Sequence, residues 1–569
     1  MKGIIIMLFK DFIYQRPNFD EISKKCDQTV DVVMNAKTKE EVFEAIDKFN
    51  KERSHWSSME SIASIRHSVN TLDEFYDKEV EFFNEYGPKY AELENKLSIS
   101  LINSPHYDAL VEKLGKQLFK MIKVQLESFS PEIIPELQEE AKLVTRYGKL
   151  IASAKIEFDG KVLNLSQMGP YTTNVNREVR KNAETAMWKF FEENINEIDE
   201  IYDSLVKVRD RMAKKLGYKN YIDLGYKRLG RTDYDSNDVK NYRDQVYKEL
   251  VPVANKIYNH QKERIGVTDF LSYDIPLEFL DGNAIPIGDL KYKLDAARKM
   301  YHELSDETSE FVDFMLDHEL IDLEAKPGKQ GGGYCTSILD YKAPFVFANF
   351  NGTSGDVDVL THEFGHAFQN YCSRDFEVSE YIWPTLESCE IHSMSMEFFA
   401  WPWMDLFFGD AKDKYKYAHL SGSITFIPYG VLVDEFQHWV YENPSVTSDE
   451  RKAIWRKLEK KYMPWKKYEN EFLEKGNYWI RQSHIFSTAF YYIDYTLAQN
   501  CAHQFWVKNQ IDHKKAWNDY YNLCKTGGSK SFLELLKVAN LKNPFVDGTL
   551  KYVVEPLNKW LDEFDMTKI

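Results

Sequence analysis

A basic excess is the first thing this sequence lacks. Its 569 residues carry 73 Lys and Arg against 90 Asp and Glu, a formal net charge of −17. That balance argues against a nucleic-acid partner, because binding phosphate needs a basic surface. An acidic surface keeps a protein soluble but names no substrate. Cysteine is sparse as well. The six residues Cys26, Cys335, Cys372, Cys389, Cys501 and Cys524 show no metal-knuckle spacing, and a chain of this length needs no disulfide staples. No apolar run reaches the length that spans a bilayer, so no membrane association is expected. The short apolar stretch ending at Met7-Leu8-Phe9 is followed at once by Lys10-Asp11 and lacks a small-residue cleavage site. It is therefore not read as a signal peptide, and the expected location is the cytoplasm. Internal repeats and low-complexity tracts are absent. The loop Pro327-Gly328-Lys329-Gln330-Gly331-Gly332-Gly333 lacks the Gly-Lys-Ser/Thr ending of a phosphate loop, which argues against a nucleotide site.

What is present reads as a globular protein with room for several ordinary domains or one large domain with subdomains. Aromatic residues reach 15 %, enough to build a large core and also to line a peptide cleft. Residues up to about 150 read as successive helices. Ile22, Cys26, Val30 and Val33 recur at helical spacing, and Thr38-Lys39-Glu40-Glu41 is a capping box before Val42, Ile46 and Phe49. Gly87-Pro88 is expected to stop one long helix and start another, and Ser130-Pro131 to open a further one. The pattern shifts near residue 150. Lys155–Phe158, Asp159-Gly160 and Lys161–Leu165 form a predicted hairpin with a favoured two-residue turn. This boundary separates an N-terminal helical domain, 1–150, from a second domain, 151–569. Helices resume near Arg177. Pro344–Phe350 reads as a strand, which Asn351-Gly352 turns toward the next helix. An extended edge there could take a peptide as a further strand.

The chemistry concentrates in Asp356–Phe368, which contains His362-Glu363-Phe364-Gly365-His366. On a helix, positions i and i+4 share a face, so both imidazoles can reach one metal ion. Glu363 lies beside them as general base for an activated water, the arrangement of zinc hydrolases. Two histidines on a solvated helix would be the ordinary alternative. Val357, Val359, Leu360, Phe364 and Ala367 instead make the helix apolar, and polar side chains on a buried helix need partners. A catalytic zinc takes three protein ligands and keeps one position open. Glu387, Glu390 and His392 on the following helix are all plausible third donors, and spacing does not choose among them.

The block from His362 to Phe368, followed by Glu390-Ile391-His392-Ser393-Met394-Ser395-Met396-Glu397, resembles the thimet oligopeptidase and oligoendopeptidase F family of zinc peptidases. That family carries Glu-x-x-Ser-x-x-x-Glu on a second helix. Further likeness lies in Ile156–Lys161, in Gly333-Tyr334-Cys335, in Pro344–Phe350 and in the segment from His484 to Tyr495. It runs from about residue 150 to near the C-terminus and is greatest to the shorter, PZ-peptidase-like bacterial branch. The resemblance implies a mostly α fold with a zincin-like catalytic domain and a small β-sheet, a helical ellipsoid split by a deep substrate channel. It implies one Zn2+ per chain, held by His362, His366 and Glu390, with Glu397 orienting a ligand histidine. Glu363 is then the general base, and Tyr495 with His484 the donors to the transition state. The loop after His484 lacks the glycine-rich character of the thimet branch, and Tyr491 and Tyr492 both remain open for the second tyrosine role. The implied function is a zinc-dependent endopeptidase acting on oligopeptides. The alternatives are an exopeptidase of dipeptidyl carboxypeptidase or metallocarboxypeptidase type, or a non-catalytic zinc-dependent peptide-binding protein.

Overall fold

Local signals in the N-terminal stretch translate into helices. Asn18 caps α1 (Phe19–Asn35) by accepting from the backbone of Asp20 and Glu21. Thr38 and Glu41 form the expected capping box at the start of α2 (Lys39–Val69). The expectation that Gly87-Pro88 breaks a helix is corrected: α3 runs Glu74–Asn103 with Pro88 inside it. An interior proline costs about 3 kcal/mol through a lost hydrogen bond and a clash. Here Trp56 of α2 packs against Phe82 and Phe83 before the pair and stacks on Tyr90 after it, at a centroid distance of 4.6 Å. Packing on both sides of the break outweighs the local penalty.

The structure, a computed structural model, describes residues 7–326 and 328–569. It is predominantly helical with two small sheets. The chain forms two compact units, each built from three separated segments. The first holds Met1–Leu126, Ile285–Gly409 and Lys508–Leu541; the second holds Glu127–Ala284, Asp410–Val507 and Lys542–Ile569. The composition shift near residue 150 falls between the helix Ile134–Ala152 and the hairpin, inside the second unit. Among the described residues no helix is long and apolar enough to cross a membrane.

In the first unit, strands β3 (Ile321–Glu324), β4 (Tyr334–Ile338) and β5 (Ala343–Phe350) form a sheet of order β3-β5-β4. β5 pairs parallel with β3 and antiparallel with β4, in the register Thr336 opposite Phe345. Its residues Ala343 to Ala348 are buried, which is why it reads as an unbroken apolar run. The helix after it, Gly355–Ser373, carries the His-Glu-x-x-His motif and packs on β4 and β5. Asp356 fixes its start. The carboxylate accepts from the Asn351 and Gly352 backbone at 2.8 and 3.0 Å and pairs with buried Lys293 at 2.6 Å.

The second unit contains the predicted hairpin as β1 (Ile156–Phe158) and β2 (Lys161–Leu163). Asp159 and Gly160 both adopt positive φ, 52° and 70°, as a type I′ turn requires. Its core gathers Tyr202, Phe436, Trp455, Trp479 and Phe486. Buried arginines hold the chain that runs through it. Arg209 pairs with Glu140 and donates to the Phe486 carbonyl at 2.6 Å, while Arg231 pairs with Asp494 and donates to the Phe490 carbonyl, also at 2.6 Å.

Candidate metal centre

The motif helix places the His362 and His366 rings 5.0 Å apart, one turn from each other. The helix Leu386–Phe399 packs against it and brings in Glu390. Glu390 Oε2 lies 3.3 Å from His362 Nε2 and 3.5 Å from His366 Nε2. Ligands at about 2.0–2.2 Å from a tetrahedral ion lie about 3.3–3.6 Å from one another. The three donor atoms, all within 4.8 Å of each other, fit that spacing. No other such cluster occurs among the described residues.

Glycine makes the helix contact possible. A Cβ on Gly365 would sit 2.7 Å from Ser393 Cα, 2.8 Å from the His392 carbonyl oxygen and 2.9 Å from Met396 Cβ. The motif helix can therefore approach its neighbour closely only because position 365 has no side chain. Ser393 then supports the carboxylate, its hydroxyl donating to Glu390 Oε2 at 3.1 Å. Glu397, two turns further on, lies 2.7 Å from His362 Nδ1. In the neutral imidazole, which a bound cation would require, a proton on Nδ1 donates to that carboxylate and leaves the Nε2 lone pair for the cation; a carboxylate selects the tautomer of a metal-binding histidine in this way.

The electrostatics are those of charge held in a buried cluster. Burial alone would push the His362 imidazole down, but the hydrogen bonds and charges of Glu390 and Glu397 outweigh it and hold its pKa well above the usual value. Burial would likewise raise Glu390, yet the two histidines keep it far below the usual carboxylate range. Glu363 shifts the other way: burial raises it, against the lowering effect of the histidines. It is 8 % exposed, and its Oε2 has no hydrogen-bond partner among the described residues. A buried carboxylate oxygen left unmatched beside three metal-type donors fits a centre that holds a cation and a proton donor.

The other two donors considered for the third position stand elsewhere. Glu387 accepts from Thr385 Oγ1 at 2.8 Å at the start of its helix. His392, two residues past Glu390, is turned well away from it around the helix axis. It is fully buried, its carbonyl accepts from Tyr520 at 2.9 Å, and burial pushes its imidazole down to about 3.

The remaining predicted site residues belong to the second unit and gather with one another. His484 packs against Tyr491, Tyr492 and Tyr495 at centroid distances of 5.7, 5.1 and 5.6 Å. Tyr495 Oη lies 3.5 Å from His484 Nε2. Tyr491 and Tyr492 both border Tyr495, at 4.9 and 5.6 Å, so distance does not separate them. Burial raises the Tyr492 phenol above its usual pKa. Phe490, between these groups, has a φ of 67°, and its ring occupies the space that a Cβ on Gly225 would fill. Sequence reasoning did not single out Gln482, which lies against His484 Nδ1, nor Gly365, nor the buried Arg209 and Arg231. A glycine inside an apolar helix signals close packing in general but does not name its partner. The other three have no local sequence signal at all.

Residues 171–554 match the family model described as Peptidase family M3, and residues 9–129 match the Peptidase M3 N-terminal domain. The chain is 52 % identical to PZ peptidase A, solved with an inhibitor, with a TM-score of 0.93 over 98 % of this chain and 99 % of that one. Among curated proteins it is 25 % identical over 213 residues to the chromosomal oligoendopeptidase F of Lactococcus lactis subsp. cremoris, covering 36 % of this chain. It is 23 % identical over 398 residues to oligopeptidase PepF of Bacillus subtilis (strain 168), covering 68 % of this chain. These matches span 33 % and 57 % of the two relatives, less than two thirds of either.

Proposed function

The chain belongs to peptidase family M3, and from that premise we propose that it is a zinc-dependent endopeptidase that hydrolyses internal bonds of oligopeptides. The observation that carries the reading is the convergence of His362, His366 and Glu390 beside the buried Glu363. His362, His366 and Glu390 would hold one zinc ion. Bound there, zinc supplies Lewis-acid chemistry, polarising a carbonyl oxygen and making water nucleophilic at neutral pH.

The chain's own residues do the rest. Glu363 takes the proton of the attacking water and returns it to the leaving amine nitrogen; its upward pKa shift moves it closer to the working pH of a general base. Glu397 holds the His362 tautomer, and Ser393 holds the Glu390 carboxylate. Tyr495, with His484 and one of Tyr491 and Tyr492, donates to the oxygen that gains charge as the carbonyl is attacked. One such donor is worth about 3–4 kcal/mol. The solved relative is named a peptidase and the curated relatives an oligoendopeptidase and an oligopeptidase, which supports oligopeptides as substrates. The proposal includes a helical domain at 1–150, a catalytic domain at 151–569, a cytoplasmic location and no nucleic-acid partner.

The test is an internally quenched peptide of about a dozen residues, blocked at both ends. The expected result is cleavage at an internal bond that stops on chelation and resumes with zinc. Turnover only of peptides with a free terminus would move the assignment to an exopeptidase. Binding without cleavage of any peptide would reduce the chain to a peptide-binding protein.

A further inference from the structure

Gln482 sits between two groups that the proposed reaction does not account for together. Its Oε1 lies 2.9 Å from Tyr429 Oη, and its Nε2 lies 2.8 Å from His484 Nδ1. On the other side of the same imidazole, Nε2 lies 3.5 Å from Tyr495 Oη. All four residues belong to the second unit, so the chain is continuous within one body.

The polarity of this chain can be worked out from donors and acceptors. An amide oxygen only accepts and an amide NH2 only donates. Turning the Gln482 amide round would place its NH2 against the Tyr429 oxygen and leave the Tyr429 proton without an acceptor among the described residues. A phenol carries its proton at neutral pH, and the structure directs it at Gln482 Oε1, 2.9 Å away. Tyr429 therefore donates to Gln482 Oε1, and Gln482 Nε2 donates to His484 Nδ1. An imidazole nitrogen that accepts carries no proton, so in neutral His484 the proton is on Nε2. Nε2–H then donates toward the Tyr495 oxygen, and Tyr495 meets its other neighbours as a donor. The last link is long, a looseness common in catalytic sites without substrate.

We propose that Gln482 is a positioning residue: with Tyr429 it fixes neutral His484 as the Nε2–H tautomer, and through it orients Tyr495 as a hydrogen-bond donor. No proton moves along this chain; it sets direction only. The catalytic part of the proposal rests on the function argued above, whereas the tautomer does not.

The experiment therefore has two readouts. The first is long-range 1H–15N correlation on the full chain labelled with 15N-histidine, with His484 assigned by its loss in His484→Gln. Wild type should show an unprotonated Nδ1 and a protonated Nε2 at pH 8. Gln482→Glu replaces the donor by an acceptor and should protonate Nδ1, and Gln482→Met should leave a mixture of tautomers. A protonated Nδ1 in wild type, or an unchanged Nδ1 in both variants, overturns the proposal. The second readout is cleavage of the doubly blocked peptide by zinc-loaded protein. Losing one neutral hydrogen bond should lower kcat of Gln482→Met about 3–10-fold, with KM and zinc content unchanged. A loss in KM or zinc instead of kcat overturns the positioning role. Wild-type kcat/KM in His484→Gln, with the tautomer as predicted, would strike the catalytic reading of this segment and leave the tautomer assignment standing.

Discussion

Gly365→Ala is the most direct test of how the two helices shape the candidate metal centre. The added Cβ would meet Ser393 Cα at 2.7 Å and the His392 carbonyl oxygen at 2.8 Å, where ordinary contact starts at 3.4 Å. Both neighbours are backbone atoms, which cannot rotate aside. The helices must part by about 0.5–0.7 Å, and Glu390 rides on the one that moves. Overpacking of this kind costs about 1–3 kcal/mol, offset by about 1 kcal/mol from the better helix propensity of alanine. The net loss of stability is about 0–2 kcal/mol. The larger effect falls on the metal, because Glu390 Oε2 already sits at 3.3 and 3.5 Å from the two imidazoles and has no slack to follow. Zinc affinity should fall about 10–100-fold, as when a supporting partner of a metal ligand is lost. Gly422→Ala is the control. It lies in the helix Lys412–Glu442 with nothing within 4 Å of its Cβ position, so it should leave stability unchanged or slightly higher. Zinc competition with a coloured chelator and urea unfolding, with and without metal, measure both terms. Wild-type zinc affinity in Gly365→Ala, with Gly422→Ala behaving as stated, would refute the argument that close helix contact positions Glu390.

Four further outcomes are expected. Metal analysis should give one zinc per chain, lost in His366→Ala and Glu390→Ala and kept in Glu387→Ala; loss in the last variant alone would shift the third ligand. Glu363→Gln should keep zinc and lose cleavage by at least about 10²-fold, and Tyr495→Phe should lower kcat by about 10²–10³ with KM nearly unchanged. Asp434 gives a pH signature. Burial would raise its carboxyl, but His438 and Arg243 outweigh that and hold it at about 2. A depressed carboxylate stabilises the fold above its unfolded pKa, and that contribution, about 2 kcal/mol, is lost as pH falls from about 4 toward 2. Urea midpoints of wild type and Asp434→Asn should therefore converge over that range, and a constant gap would contradict the assignment.

The parts of the fold that were legible are those written in short-range pattern. The capping box at Thr38, the Asp159-Gly160 turn and the apolar run of β5 each depend on residues within a few positions, and each stands where expected. Pro88 shows the limit. The local rule says break, but Trp56, some thirty residues earlier, packs on both sides of it. The compact units lie further beyond local reading. Each gathers three separated segments, while the composition shift near residue 150 marks only a change of element type along the chain.

The candidate metal centre divides in the same way. His362 and His366 could be paired from spacing because a helix converts four positions into one turn. The third donor could not, because Glu387, Glu390 and His392 are equivalent until the rotation of the second helix is known. Gly365 fixes that rotation by setting where Ser393 and His392 press, and Glu390 then falls opposite the histidine pair. The motif's glycine is thus as much a part of the site as its histidines. Its contribution is a missing side chain, which no inventory of metal-binding residue types would count. The segment around His484 follows the same reasoning from the other direction. In the proposal above its chemistry depends on which imidazole nitrogen carries the proton, and that would be set by Gln482 and Tyr429, neither of which the motif singles out. Substituting them tests orientation without removing any group that touches the substrate.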